Sequence, residues 1–180
     1  RQNKDLVALD EKGTEHPIQV LSSEKLDGNR LISGVFVAKL PPLGYRVFWI
    51  TKAKTDCKSD VHALPDGIEN SLVRIRVDDD TGFITSIVDK RLGSELLAAP
   101  SRPIVIRDES DTWSHDVVSF RDEIGTFDVD GLPIIESGPV RASITVIGRY
   151  NKSRLIQTYM IHAGTPLVEC RIDLDWHEKH

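Results

Sequence analysis

The densest group of chemically capable side chains lies in residues 108–116. Carboxylates, an indole and an imidazole occur together in this stretch. A carbohydrate site needs this mixture, because an aromatic face packs on sugar C–H groups and planar acceptors bind hydroxyls. The candidate substrate-pocket residues are Asp111, Trp113, His115 and Asp116. The competing interpretation is a polar loop in which Asp side chains cap turns and Trp113 packs on a sheet.

The histidines near the C-terminus do not follow a known metal motif. His177 and His180 are three residues apart, whereas the zinc-protease pattern places two histidines four apart on a helix. On a strand, Asp173, Asp175 and His177 share one face, where pairing with nearby arginines is the favoured role. The acidic run 78–80 lacks the twelve-residue ligand ladder of a calcium loop. We therefore predict no metal and no cofactor in this segment.

Composition limits the classes of partner. The chain has 180 residues and a net charge of -5, without a basic stripe, which argues against nucleic acid and anionic membranes. No apolar run approaches the roughly 20 residues that span a bilayer. Cys57 and Cys170 are predicted to be free thiols in a reducing compartment, which favours a cytoplasmic location.

Apolar residues alternate with a period of two through most of the chain, which predicts an all-β fold built as an antiparallel sandwich. Residues 72–77 and 83–88 flank an Asp-rich turn with Gly82 and are predicted to form a hairpin. Three longer runs with short connections predict a meander, namely residues 140–150, 155–162 and 167–176.

Two further runs, residues 35–40 and 45–51, are predicted as short strands around Pro41 and Pro42. The second run, which contains Trp49, is apolar on both sides and is predicted to be buried on both. In the last strand, one face is predicted to cover a core, with members Val168, Cys170, Ile172, Leu174 and Trp176.

Residues 52–67 lose periodicity and gain charge, which predicts a linker between two domains. The predicted domains are residues 1–65, with strands of a small β-sandwich, and residues 66–180. Because the sequence begins at Arg1 and stops directly after a strand, we expect it to be part of a longer polypeptide.

Several short motifs occur in an order that resembles the glycoside hydrolase family 38 α-mannosidases. They extend from about residue 40 to the end of the sequence, and individually each is weak. In chain order they are Leu40-Pro-Pro-Leu-Gly-Tyr-Arg-Val, Ile68-Glu-Asn-Ser-Leu-Val-Arg-Ile, Thr81-Gly82, Ile87-Val-Asp-Lys, Gly138-Pro-Val-Arg and Asp175-Trp-His-Glu.

The resemblance implies a retaining glycosidase that cleaves α-linked mannose, with two carboxyl groups about 5–5.5 Å apart. In the family, these carboxylates and the ligands of a zinc ion come mostly from an N-terminal catalytic domain whose motifs are missing here. The segment is therefore expected to be inactive alone, with that catalytic domain as its partner and a mannose-containing oligosaccharide as ligand of the intact enzyme. Residues 66–180 would begin a large supersandwich similar to the galactose mutarotase fold.

The resemblance also implies that residues 108–116 approach the catalytic cleft from the β side. Many family members have a second Trp-Asp pair where this chain has Ser114, His115 and Asp116.

Two alternatives remain open. A free-standing carbohydrate-binding module would need an exposed aromatic platform, for which only Trp113 remains if Trp49 and Trp176 lie in cores. A mutarotase-like epimerase would need an acid/base pair across a sugar ring, and His115 and Asp116 would point apart on a strand. If a domain is missing, we also expect an exposed apolar face and self-association through an open sheet edge.

Overall fold

The computed structural model describes residues 6–53, 59–110, 113, 115 and 117–178. Throughout these ranges the regular secondary structure consists of β-strands, and the paired strands are antiparallel. The predicted all-β class is confirmed, and the architecture is consistent with a β-sandwich. The part of the chain described contains no helix with the length and apolarity required to cross a membrane.

The N-terminal part contains a three-stranded sheet and a separate hairpin. Its strands are β1 (Leu6–Leu9), β2 (Glu15–Pro17), β3 (Gln19–Leu26), β4 (Asn29–Val35) and β5 (Trp49–Lys52). The sheet has the order β2-β1-β5, and β3 pairs with β4. Asp27 and Gly28 join β3 to β4 with φ values of 49° and 81°, the left-handed conformation that two-residue hairpin turns require.

Two predictions for this part are corrected. The strand predicted for residues 35–40 is formed only at Val35, and the strand predicted for residues 45–51 is formed only from Trp49 to Thr51. Residues 36–48 lie outside the strands, because β4 ends at Val35 and β5 begins only at Trp49. The prolines at 41 and 42 cannot donate to a ladder, and the segment forms a loop instead. The run around Trp49 is not buried on both faces: Trp49 is 55% and Ile50 57% exposed. The reason is that β5 is an edge strand of a three-stranded sheet. The other described residues do not cover both faces of this strand.

The C-terminal part contains two larger sheets and one small one. Its strands are β6 (His62–Leu64), β7 (Gly67–Glu69), β8 (Val73–Val77), β9 (Ile84–Asp89), β10 (Ser94–Glu95), β11 (Ile104–Ile106), β12 (Glu123–Thr126), β13 (Asp128–Val129), β14 (Ile134–Ser137), β15 (Arg141–Tyr150), β16 (Ser153–His162) and β17 (Val168–Asp175). One sheet has the order β10-β9-β8-β7-β6, the second has the order β13-β15-β16-β17 with β14 also paired to β15, and β11 pairs with β12.

The predicted hairpin and meander are both confirmed. Strands β8 and β9 pair around a turn in which the Asp78 carboxylate accepts hydrogen bonds from the backbone N–H and hydroxyl of Thr81. Gly82 completes that turn with a φ of 70°. Strands β15, β16 and β17 pair in sequence, and Asn151 takes a φ of 47° in the first of their turns.

The core lies between the two larger sheets. Alternate residues of β7, β8 and β9 face alternate residues of β15 and β16, as period two requires. Its fully buried side chains are Ile68, Ile75, Ile84, Ile144 and Ile161.

The apolar face of β17 packs against the core at Val168 but is largely exposed beyond it, which corrects the prediction that the whole face covers a core. Leu174 lies opposite the buried Leu155, so both side chains are on the core side of the sheet. Nevertheless Leu174 is 53%, Ile172 59% and Trp176 47% exposed. β17 is an edge strand of its sheet as described, and Ile172 and Leu174 are not among the side chains that pack against the two buried clusters.

Candidate functional site

The segment that contains the candidate residues connects β11 to β12. Its base is closed by a backbone hydrogen bond of 2.8 Å from the Arg107 N–H to the Asp122 carbonyl. The same two residues form an ion pair of 2.9 Å between Arg107 Nε and Asp122 Oδ2. Arg107 and Asp122 therefore hold the two ends of this segment together.

Two of the four candidate residues can be placed. Trp113 is 79% exposed and His115 is exposed, whereas Asp111 and Asp116 lie outside the described residues. Within the same segment, the Asp108 carboxylate accepts hydrogen bonds from the backbone N–H and the hydroxyl of Ser110. Asp108 thus caps a local turn, as the polar-loop interpretation predicts for the aspartates.

One open cleft has a volume of about 490 Å³. Among the described residues, it is lined by His115 and by residues 107–110 and 117–120. His115 is thereby brought to the same cleft as Asp108 and Ser110. Trp113 is not among the described residues of this lining.

A second, larger cleft is also lined by residues 107–110. Its volume is about 770 Å³, and its walls combine β11, Ile124 of β12, and the ends of β15 and β17. The sequence did not predict a site here, because period two assigned Trp176 to a core. The lining includes Tyr150 at the end of β15 and Asn151 after it. It also includes Trp176 and Glu178, which follow β17.

An aromatic cluster forms one wall of the larger cleft. The rings of Tyr150 and Trp176 are parallel within 6°, with their centroids 6.2 Å apart. The buried Phe127 contacts both, at 5.9 and 6.4 Å. Gly125 packs so closely that an added Cβ would lie 2.5 Å from Tyr150 Cε2. Trp176 is consequently held at a fixed position although it is half-exposed.

The residues after Trp176 are tied to the turn between β15 and β16. Glu178 accepts hydrogen bonds from Ser153 Oγ at 2.7 Å, the Lys152 N–H at 3.0 Å and Asn151 Nδ2 at 3.3 Å. The Ser153 hydroxyl contributes most to lowering the pKa of Glu178 below its ordinary value, against the opposing effect of burial. The His177 N–H in turn donates to Ser153 Oγ at 2.9 Å.

The acidic residues of β17 have close local partners. Arg171 Nε lies 3.0 Å from Asp173 Oδ2, and His177 Nε2 lies 2.9 Å from Asp175 Oδ1. Asp173 thus pairs with an arginine, although on its own strand and not on a neighbouring one. Within the described ranges, no group of three or more His, Cys, Asp or Glu side chains is arranged to hold a metal ion.

Comparison with protein families identifies a matching domain. The sequence model of the "Glycosyl hydrolases family 38 C-terminal domain" matches residues 68–180, which begin in β7 and include all three strands of the meander. A search of curated proteins found no match.

Proposed function

Because the chain belongs to glycosyl hydrolase family 38, through the C-terminal domain of that family, we propose that it is the noncatalytic β domain of an α-mannosidase. The observation that carries this proposal is the match over residues 68–180, which includes both larger sheets from β7 onward. The two carboxyl groups of a retaining mechanism, about 5–5.5 Å apart, would be supplied by a catalytic domain of the same polypeptide.

We assign zinc to that catalytic domain and not to this segment. The described residues offer no set of three or more metal-binding side chains in one place. Zinc would contribute Lewis-acid chemistry at the sugar hydroxyls when bound. The role proposed for this chain is to support the catalytic domain and to complete the wall of its pocket.

The proposed contribution to the pocket comes from residues 108–116. The base of this segment is held by Arg107 and Asp122, while Trp113 and His115 are exposed beyond it. Because the ends of the segment are held in place and the Trp113 and His115 side chains are exposed, these side chains could contact a sugar bound in a neighbouring domain. Asp111 and Asp116 belong to the same proposed set.

The test is hydrolysis of an aryl α-mannoside, with and without added zinc or cobalt. The chain alone would be compared with a polypeptide that also contains the catalytic domain. Activity only in the longer form is expected. Activity of the 180 residues alone would overturn the proposal, because it would place the essential catalytic groups within them.

The pocket role is tested in the longer form with Trp113→Ala and His115→Ala. We expect kcat/KM to fall about tenfold for each variant, a loss of about 1.4 kcal/mol of transition-state binding. Trp49→Ala is the matched control, since Trp49 is also an exposed tryptophan but lies on β5. Unchanged kcat/KM in both pocket variants would remove residues 108–116 from the pocket.

Compartment and assembly are also proposals. Cys170 is a free, exposed thiol, which is compatible with a reducing, cytoplasmic compartment. The uncovered face of β17 supports self-association when the segment is isolated. The epimerase hypothesis stays a prediction, because Asp116 lies outside the described residues.

A further inference from the structure

We propose that the larger cleft, between residues 105–110 and the Tyr150–Trp176 pair, is a binding site for a neutral saccharide. This inference goes beyond the function proposed above, because it requires only the present chain. The sequence suggested Trp113 as the aromatic platform of a carbohydrate-binding module. In the present proposal that platform is instead Trp176 together with Tyr150.

The first argument is the size and composition of the cleft. Its volume of about 770 Å³ lies within the range of about 300–1,000 Å³ usual for small-ligand sites. Val105, Ile106 and Ile124 add apolar groups to the same lining as the aromatic pair. Asp108, Glu109, Ser110 and Asn151 add polar groups to the same lining.

The second argument is that the aromatic platform is organised before any ligand arrives. Tyr150 lies between the backbone at Gly125 and the ring contacts with Phe127 and Trp176. Two residues beyond Trp176, Glu178 is held by three hydrogen bonds to the β15–β16 turn. Binding would therefore cost little side-chain entropy, which is the main benefit of preorganisation.

The third argument concerns the chemistry of the ligand. The electron-rich face of an indole favours the slightly positive C–H groups of a pyranose ring. Carboxylates accept hydrogen bonds from hydroxyl groups. The cation in the lining, Arg107, is already paired with Glu109 at 3.1 Å and with Asp122. The remaining acidic character disfavours phosphorylated or carboxylated sugars, so the expected ligand is uncharged.

The experiment is a titration of the ¹⁵N-labelled chain with an α-linked mannotriose, observed by NMR at the tryptophan indole N–H signals. Substitution of Trp49, Trp113 and Trp176 one at a time assigns the three signals. We expect a saturable shift of the Trp176 signal with a dissociation constant in the millimolar range. Mannose 6-phosphate, the anionic comparison, is expected to bind at least about tenfold more weakly.

Two variants test the location. Trp176→Ala is expected to weaken binding about tenfold or more, whereas Trp49→Ala leaves it unchanged. Because Trp176→Ala also removes packing against Tyr150, Ile124→Glu provides a second test that keeps the aromatic side chains and adds a charge to the cleft lining. Its matched control is Ile134→Glu, on β14 outside the cleft, where the isoleucine is 51% exposed compared with 44% for Ile124.

Because Trp176→Ala removes the reporting indole, binding by that variant is followed at the backbone amide signals of residues 105–110. Loss of the saturable shift in both cleft variants, with retention in both controls, would support the site. Absence of any saturable shift at Trp176 in the folded wild-type chain would overturn it, as would a shift confined to the Trp113 signal. Neither result depends on hydrolysis. A failure of this inference is therefore distinguishable from a failure of the α-mannosidase proposal.

Discussion

The N-terminal sheet and hairpin, residues 6–52, and the two large sheets, residues 62–175, are stabilised by different interactions. In the N-terminal part, the described hydrophobic residues that are fully covered are Val7 and Ala8. In the C-terminal part, one cluster joins eleven buried residues from both sheets. A small region that buries little apolar surface needs other interactions to order its loops.

A polar network provides those interactions in the N-terminal part. The nearly buried Asp10 carboxylate accepts hydrogen bonds from the N–H groups of Thr14 at 2.8 Å and Lys12 at 2.9 Å, and from Arg46 Nη2 at 2.8 Å. Arg46 also binds Glu11 and the Lys39 carbonyl, and so holds the irregular loop before β5. The C-terminal part is therefore ordered mainly by apolar burial, whereas the N-terminal part relies on hydrogen bonds and ion pairs around Asp10 and Arg46.

The largest expected effect is the loss of a core side chain from the C-terminal part. Ile144→Ala removes a fully buried side chain from the centre of the main cluster and should lower the free energy of unfolding by about 2–5 kcal/mol. Urea unfolding measures the change. Ile134→Ala, at a half-exposed position of the same sheet, should cost much less. Equal costs at the two positions would mean that the two sheets are not packed as described.

The second effect concerns the buried amide of Asn70. Its Nδ2 donates to the carbonyls of His162 and Thr165, and its Oδ1 accepts from the N–H groups of Leu72 and Val73, all at 2.8 Å. Asn70→Asp keeps the acceptors but loses both donated bonds, at a cost of about 1–3 kcal/mol.

Ser71→Ala is the control for Asn70→Asp, because its hydroxyl donates to the partly exposed Asp60. The free energies of unfolding of both variants should be compared at pH 7. If Asn70→Asp were no more costly than Ser71→Ala, Asn70 would not join the turn after β7 to the end of β16.

The third effect is a different response to acid. Bonds from Thr14, Lys12 and Arg46 hold the pKa of Asp10 far below its ordinary value, with the Thr14 N–H contributing most. In the C-terminal part, the Ser86 hydroxyl is the largest cause that lowers the pKa of Glu95 to about 2. Because both folded pKa values are depressed, the stability is present above the unfolded values and is lost as the pH falls towards the folded ones.

We expect the N-terminal part to unfold first in acid. It has less buried apolar surface to compensate for the stability that is lost when its carboxylates are protonated. Indole NMR signals of Trp49 and Trp176, followed from pH 7 to pH 2, report the two parts separately. Asp10→Asn should weaken the acid response at Trp49 and leave that at Trp176 unchanged. Simultaneous loss of both signals in wild type and variant would show that the two parts unfold as one unit.

The smallest effect is at the contact between the two parts. Gln19 Oε1 accepts hydrogen bonds from the N–H groups of Arg141 at 2.9 Å and Val140 at 3.2 Å. Gln19→Ala should cost about 1 kcal/mol and separate the two unfolding transitions further. Gly138→Ala should resemble it, since the new Cβ would lie 2.3 Å from Gln19 Cδ and displace the flexible amide. Calorimetry resolves the transitions, and Gln157→Ala on β16 is the control away from the contact.

Local features were predictable from the sequence. The β8–β9 hairpin follows from alternation and from an aspartate that caps its own turn, both within a few residues. The meander follows in the same way from long alternating runs and short connections. The loop at residues 36–48 was not predicted, because apolar β-favouring residues flank its prolines and the contact that orders it, Arg46 with Asp10, spans 36 positions.

The candidate site was only partly predictable for the same reason. Residues 108–116 stand out by composition, and the capping role of Asp108 is local. The larger cleft joins Ile106, Tyr150 and Trp176 from three separate segments, so no sequence window contains it. Asn70 also looks ordinary in sequence, although its partners lie 92 and 95 positions away.

The sequence by itself determined the antiparallel all-β class, the order of the hairpin and meander, and a family resemblance carried by ordered motifs. The tertiary structure alone decided which apolar faces are covered. Alternation along β17 shows that Ile172, Leu174 and Trp176 share a face, but whether a second layer covers that face depends on distant strands. That is why Trp176, expected in a core, lies instead half-exposed beside Tyr150 in the wall of a cleft.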